Sequence, residues 1–183
     1  MFNDLYTGLF LLLPIVVGGV LHMLVLTHEW VPALKIPVYP AWFGANKTWH
    51  GFIVMPLVTI LGVLFAQALE RTLGPVAFIN VTLLPYSAVL LGVLLGFGYI
   101  FFELPNSWLK RRLGIPPGAT PKRHRVVFIL LDQLDSAVGF VLVYYCWIDI
   151  SVSVALTMLL IFPGVALSVK RILYWTKLKK HYT

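Results

Sequence analysis

Leu5-Tyr6-Thr7-Gly8-Leu9-Phe10-Leu11-Leu12-Leu13-Pro14-Ile15-Val16-Val17-Gly18-Gly19-Val20-Leu21-His22-Met23-Leu24-Val25-Leu26 holds no formal charge over its whole length. As a helix rising 1.5 Å per residue it crosses a hydrocarbon core of roughly 30 Å. No Lys or Arg precedes it, so the basic n-region of a cleaved signal peptide is missing and a retained helix is expected. Outward from it, four more apolar runs follow: Phe52–Leu69, Tyr86–Phe102, Val126–Trp147 and Ser151–Val169. The apolar stretch from Gly74 to Pro85 either extends the third run or lies in the interface. The short turn around Asp149 makes the last two helices antiparallel neighbours. The expected fold is all-α, an integral membrane bundle of about five helices forming one domain over residues 1–183.

Composition agrees. Of 183 residues 60% are hydrophobic and only 11% charged, about half the charge of an ordinary soluble domain. Cys146 is the single cysteine, which excludes an internal disulfide or a cysteine-based metal site. Gly92 and Gly96 have the small-xxx-small spacing of close helix contacts. The formal net charge is +7, and its distribution decides its meaning. Thirteen of the fourteen Lys and Arg residues fall before the second run, between the third and fourth, or after the fifth; only Arg71 falls in the alternate connections. The positive-inside rule then predicts an outside N-terminus and a cytoplasmic C-terminus in a multi-pass protein of the cell membrane. No nucleic-acid partner is expected.

Three polar clusters share the predicted inner side. Phe43-Gly44-Ala45-Asn46-Lys47-Thr48-Trp49-His50-Gly51 precedes the second run, where helix N–H groups and the helix dipole favour an anion; an interfacial Trp with a snorkelling Lys is the competing reading. Glu103-Leu104-Pro105-Asn106-Ser107-Trp108-Leu109-Lys110-Arg111-Arg112 follows the third run. Its cations suit phosphate oxygens, whereas a topology signal or contact with anionic lipid would need none of Glu103, Asn106 or Ser107. Asp132-Gln133-Leu134-Asp135-Ser136 lies inside the fourth run, on the order of 10 Å along the helix from Val126. Positions three apart share a helix face, and each charge costs about 2.5 kcal/mol or more at membrane depth unless compensated. A divalent cation bound by oxygen ligands, Mg²⁺, would compensate both; the alternative is a network with Lys or Arg from another helix. His22, also in a span, is equally a packing residue.

These residues resemble a known family. Lys47-Thr48-Trp49-His50-Gly51 resembles the Lys-Thr-Trp-Arg-Gly motif of CDP-archaeol synthases. Ser107-Trp108-Leu109-Lys110-Arg111-Arg112-Leu113-Gly114, followed by Asp132-Gln133-Leu134-Asp135, resembles their second motif region and, more loosely, the signature of phosphatidate cytidylyltransferases. The resemblance implies five spans and a CTP-dependent transferase joining CTP to a lipid phosphate in phospholipid biosynthesis, with CTP, the lipid phosphate and the bilayer as partners. It implies that Asp132 and Asp135 bind Mg²⁺ and that Lys110 and Arg111 bind phosphate, with Lys47 and Thr48 completing the pocket; Asn46 and Ser107 are included beside them. His50 stands where the family has Arg, and Glu103 where an Asp is expected. Glu103, closing the third run, is expected as a third metal ligand, against a surface pairing with Lys110 or a nearby Arg. A homo-oligomer stays open. The competing function is a non-catalytic membrane protein whose basic loops dock a partner or anionic lipid. A CDP-alcohol phosphotransferase would carry a longer motif with Asp-Gly and Ala-Arg, and a small transporter a duplicated half; the chain shows neither.

Overall fold

The computed structural model describes residues 2–74, 76, 78–119, 121 and 125–175. Lys122, Arg123, Lys177, Lys179 and Lys180, counted above for topology, lie outside the described residues. Five long helices carry the fold: α1 (Phe2–Thr27), α3 (Trp49–Leu73), α4 (Ala88–Arg112), α5 (Arg125–Trp147) and α6 (Val152–Trp175). Each is long and apolar enough to cross a membrane. Between α1 and α3 lie a 3-10 turn at Pro32–Leu34 and a four-residue helix, α2 (Pro40–Phe43). The described residues contain no strand, only an isolated antiparallel bridge between Pro37 and Thr48.

Sequence order becomes a ring. α1 packs on α3, α3 on α4, α4 on α5, α5 on α6, and α6 returns to α1. Its centre is filled by Leu11, Leu12, Val63, Leu91, Leu95, Phe140, Tyr144 and Met158, all buried. The one buried phenol there, Tyr144, donates to the Leu11 carbonyl at 2.8 Å, a bond that has no water to replace it at this depth. The outward faces carry Leu57, Leu61, Phe65, Leu156 and Leu160, exposed as lipid-facing residues should be.

Close seams set the helix positions. Gly92 and Gly96 lie against the α3 backbone at Ile60 and Pro56, as their spacing predicts. A tighter seam, between α4 and α5, brings Gly98 onto Gly139: a Cβ on Gly139 would lie 1.9 Å from the Gly98 carbonyl oxygen. This contact sits about one turn from Asp135 and fixes how α4 and α5 present their polar ends to each other.

One alternative drops out and one helix boundary moves. The segment from Gly74 to Pro85 does not extend the third helix; α4 begins at Ala88, with Ser87 as its N-cap accepting from the Leu90 N–H at 3.4 Å. At its other end α4 does not stop with the apolar run at Phe102. It continues through Pro105 to Arg112, so the basic cluster is helical rather than a loop. Pro105 removes only one helix bond, and neighbouring helices tolerate this in membrane segments. The side chains of that extension find partners on α5, and that packing keeps the turns helical.

Candidate functional site

Antiparallel packing of α4 on α5 brings the end of one to the start of the other. The Asn106 amide nitrogen donates to Asp132 Oδ1 and to Asp135 Oδ2, each at 2.7 Å. The two carboxylate oxygens therefore stand no further apart than twice that distance. Lys110, one turn beyond Asn106, forms an ion pair and hydrogen bond with Asp132 Oδ1 and is itself buried. The compensation of the two acidic groups thus comes, in this structure, from an amide and a lysine on the neighbouring helix. Asp135 also accepts from the Ser136 hydroxyl at 3.0 Å.

The connection between α1 and α3 folds back over this end. Val38 N–H donates to the Lys47 carbonyl at 2.8 Å and Trp49 N–H to the Ile36 carbonyl at 3.0 Å, and α2 packs against α4. This lays Lys47 against α4, where it pairs with Glu103. Glu103 in turn accepts from Ser136 at 3.0 Å. One continuous network therefore runs from Lys47 through Glu103 and Ser136 to Asp135, Asn106, Asp132 and Lys110. Burial works against the charge of Lys47, but the Glu103 carboxylate, with Asp135 and Asp132 behind it, outweighs burial and holds the ammonium above its ordinary range.

Glu103 is linked to Asp135 through Ser136, and its ion-pair partner is Lys47, not Lys110 or an arginine. Thr48 is the N-cap of α3 by position, yet its hydroxyl makes no capping bond, and the Trp49 N–H is already taken by Ile36. Asn46 is exposed and sits beside Gly118, where a Cβ would be 3.2 Å from its amide nitrogen. Ser107 is half-buried on α4. Arg111 turns toward the loop: Gly44, at φ +86°, carries no side chain where one would press within 2.9 Å of Pro117 and 3.4 Å of Arg111 Nη1. The Arg111 Nε and Nη1 are buried with no hydrogen-bond partner among the described residues. Two buried guanidinium nitrogens left unsatisfied in this way are costly unless an anion meets them.

Sequence reasoning passed over Asn106 as a site residue, and Ser136, His50 and Lys170 as well. Asn106 had a visible signal, a polar residue three positions after Glu103 that topology does not need. His50 is buried, its ring centroid 5.2 Å from that of His22, and the Nε2 atoms of both are buried without partners among the described residues. Lys170 on α6 donates to Gln133 on α5 at 2.8 Å. A cavity of about 820 Å³ lies at the opposite end of the bundle, between α1, the end of α3 and the segment before α4, away from these groups.

Among the described residues no three His, Cys, Asp or Glu side chains converge closely enough to hold a metal by themselves. The donor set nonetheless fits Mg²⁺, which is commonly held by one or two carboxylates and completed by water and substrate phosphates. Asp132 and Asp135 offer two converging carboxylate oxygens, and what meets them now is an amide N–H and an ammonium, both donors to the lone pairs a cation would use.

A family model described as CarS-like, CDP-archaeol synthase, matches residues 1–182. No curated protein and no solved structure matches the chain.

Proposed function

The chain belongs to the CDP-archaeol synthase family, and from that membership we propose a Mg²⁺-dependent cytidylyltransferase that joins CTP to a lipid phosphate for phospholipid biosynthesis. The family implies CTP-dependent cytidylyl transfer onto a lipid phosphate, a nucleotidyltransferase reaction in a membrane setting. The observation that carries the proposal for this chain is the convergence of Asp132, Asp135 and Lys110, from two helices, on one point at the polar end.

In the proposed reaction a non-bridging oxygen of the lipid phosphate attacks the α-phosphorus of CTP. The new P–O bond forms as the bond from the α-phosphorus to the oxygen bridging to the β-phosphate breaks, and that electron pair leaves with pyrophosphate. No protein nucleophile takes part. Bound by Asp132 and Asp135, Mg²⁺ would supply charge neutralisation on the phosphates. Lys110, paired with Asp132, would supply a cation to the phosphate oxygens. Arg111 offers its unpartnered Nε and Nη1 to phosphate oxygens, and Lys47, held protonated, contributes a third cation beside them. Asn46, Thr48 and Ser107 are proposed as neutral hydrogen-bonding groups for the same phosphates. Glu103, linked to Asp135 through Ser136, is proposed as the holder of a metal-bound water rather than as a direct third ligand. Most of the acceleration then comes from positioning and charge stabilisation.

This end faces the cytoplasm in the proposal, supported by the partition of basic residues. The purified protein, incubated with CTP, Mg²⁺ and a panel of lipid phosphates, is expected to release pyrophosphate with at least one lipid. Binding of anionic vesicles without pyrophosphate release from any member of the panel would favour the docking-protein alternative and sink the enzyme reading.

A further inference from the structure

The ring does not close evenly. Near the outer end α1 and α6 touch: a Cβ on Gly8 would be 3.4 Å from Met158 and 3.5 Å from Ile161. Three turns along α1, a Cβ on Gly19 would meet nothing within 4 Å. The helices have parted there, and a cavity of about 160 Å³ lies between them, room for on the order of ten waters. Its α1 wall is Val16, Gly19 and Met23, and its α6 wall is Ala166 and Val169, each only half-buried and so reaching toward the bilayer.

The cavity changes character with depth. Its side walls are apolar, and its inward end is formed by His22, Tyr99, Gln133 and Lys170. Lys170 is oriented by its bond to Gln133, which lies beside Asp132 on α5. His22 Nε2 is buried there without a hydrogen-bond partner among the described residues. A space that is apolar toward lipid and ends on a cation and an unsatisfied imidazole matches one kind of occupant: an amphiphile with a hydrocarbon stem, hydrogen-bonding oxygens and a terminal anion.

We propose that the parted α1–α6 seam is the lateral portal through which the lipid phosphate reaches the site, its stem along Gly19 and Ala166, its glycerol oxygens at His22 and its phosphate at Lys170. The inference rests on the cytidylyltransferase reading and adds to it a direction of approach. The lipid comes from the bilayer between α1 and α6, while CTP meets Lys110 and Arg111 at the end of α4. Lys170 and His22 become binding residues for the lipid partner alone.

The test uses the full chain in vesicles with a dialkylglycerol phosphate carrying a diazirine near the start of one chain. Irradiation is expected to label α1 around Gly19 and α6 around Ala166. Unlabelled dialkylglycerol phosphate should compete, and the dialkylglycerol lacking phosphate should not. Gly19→Trp, which fills the space, should raise the KM for the lipid phosphate by about tenfold, equivalent to roughly two buried methylenes, and leave the KM for CTP within twofold. Labelling spread around the outer perimeter, confined to the α3–α4 seam, or equally competed by the phosphate-free lipid overturns the portal, as does an unchanged lipid KM in a folded Gly19→Trp protein. Labelling at the seam without pyrophosphate release from CTP by the wild-type protein would keep the lipid site and overturn the cytidylyltransferase reading instead.

Discussion

Gly139→Ala adds one methyl group at a position that touches no substrate, yet it should disable the site. The new Cβ would lie 1.9 Å from the Gly98 carbonyl oxygen, 2.6 Å from its carbon and 2.9 Å from Phe102 Cδ2. Two of these are backbone atoms and cannot swing aside. The separation has to grow from 1.9 Å to at least 3.0 Å, so α4 and α5 move apart by about 1.1 Å or more, a displacement of the order that overpacking forces at about 1–3 kcal/mol. Carried about two turns along α4 to Asn106, the same displacement stretches its 2.7 Å bonds to Asp132 and Asp135 to about 3.8 Å, beyond hydrogen-bond range. Each such bond to a charged group is worth about 1.5–3 kcal/mol, and a misplacement near 1 Å costs on the order of 10²-fold in rate. The expected result is a protein that inserts and purifies normally but releases pyrophosphate roughly a hundredfold more slowly. Initial rates with CTP and lipid phosphate, alongside thermal unfolding in detergent, measure this. Wild-type turnover in Gly139→Ala would show that the α4–α5 seam does not set the site.

Asp132→Asn and Asp135→Asn should each leave insertion intact and remove Mg²⁺-dependent transfer; full activity in either variant refutes a metal role for the pair. Lys110→Ala and Arg111→Ala should raise the KM for CTP or lipid phosphate by about tenfold, with Arg123→Ala doing less, and equal effects at all three would reduce the cluster to a general basic patch. Glu103→Gln should lower activity strongly and recover in part as Mg²⁺ is raised; near-normal rates at every Mg²⁺ level would leave Glu103 as the ion-pair partner of Lys47 only. A C-terminal fusion to a reporter active only outside the cytoplasm should stay silent, and signal from it would reverse the proposed orientation.

The five spans were readable because hydrophobic length and charge partition are local, additive properties of the chain. Gly92 and Gly96 were readable too, since their spacing alone puts both on one helix face. The Gly98–Gly139 contact was not: each glycine is unremarkable in its own helix, and only the α4–α5 crossing makes them a pair. Hydropathy also ended the third helix at Phe102, because polarity marks where lipid stops and not where helix stops. The turns carrying Asn106 and Lys110 stay helical through contacts with Asp132 and Asp135 that no window along α4 contains. Asp132 and Asp135 stood out as a pair because spacing of three is itself the signal. Lys47 and Glu103, 56 positions apart, meet only because the α1–α3 connection doubles back over α4, and nothing in either local sequence encodes that return.

The closure of α6 onto α1 bears on biogenesis. Helices leave the ribosome in order, and α4 arrives carrying Asn106 and Lys110 before α5 brings Asp132 and Asp135. The two acidic groups therefore follow their partners, and α4 with α5 forms a hairpin in which Asp132 and Asp135 are already met by Asn106 and Lys110. The contacts of α1 with α6 are different, since they must wait for the final described span. Until then Leu11 and Leu12 face lipid or the insertion machinery, and His22 has no chamber. Assembly of the acidic network and sealing of the ring are separate events in the life of the chain, and a protein arrested before α6 would carry the first without the second.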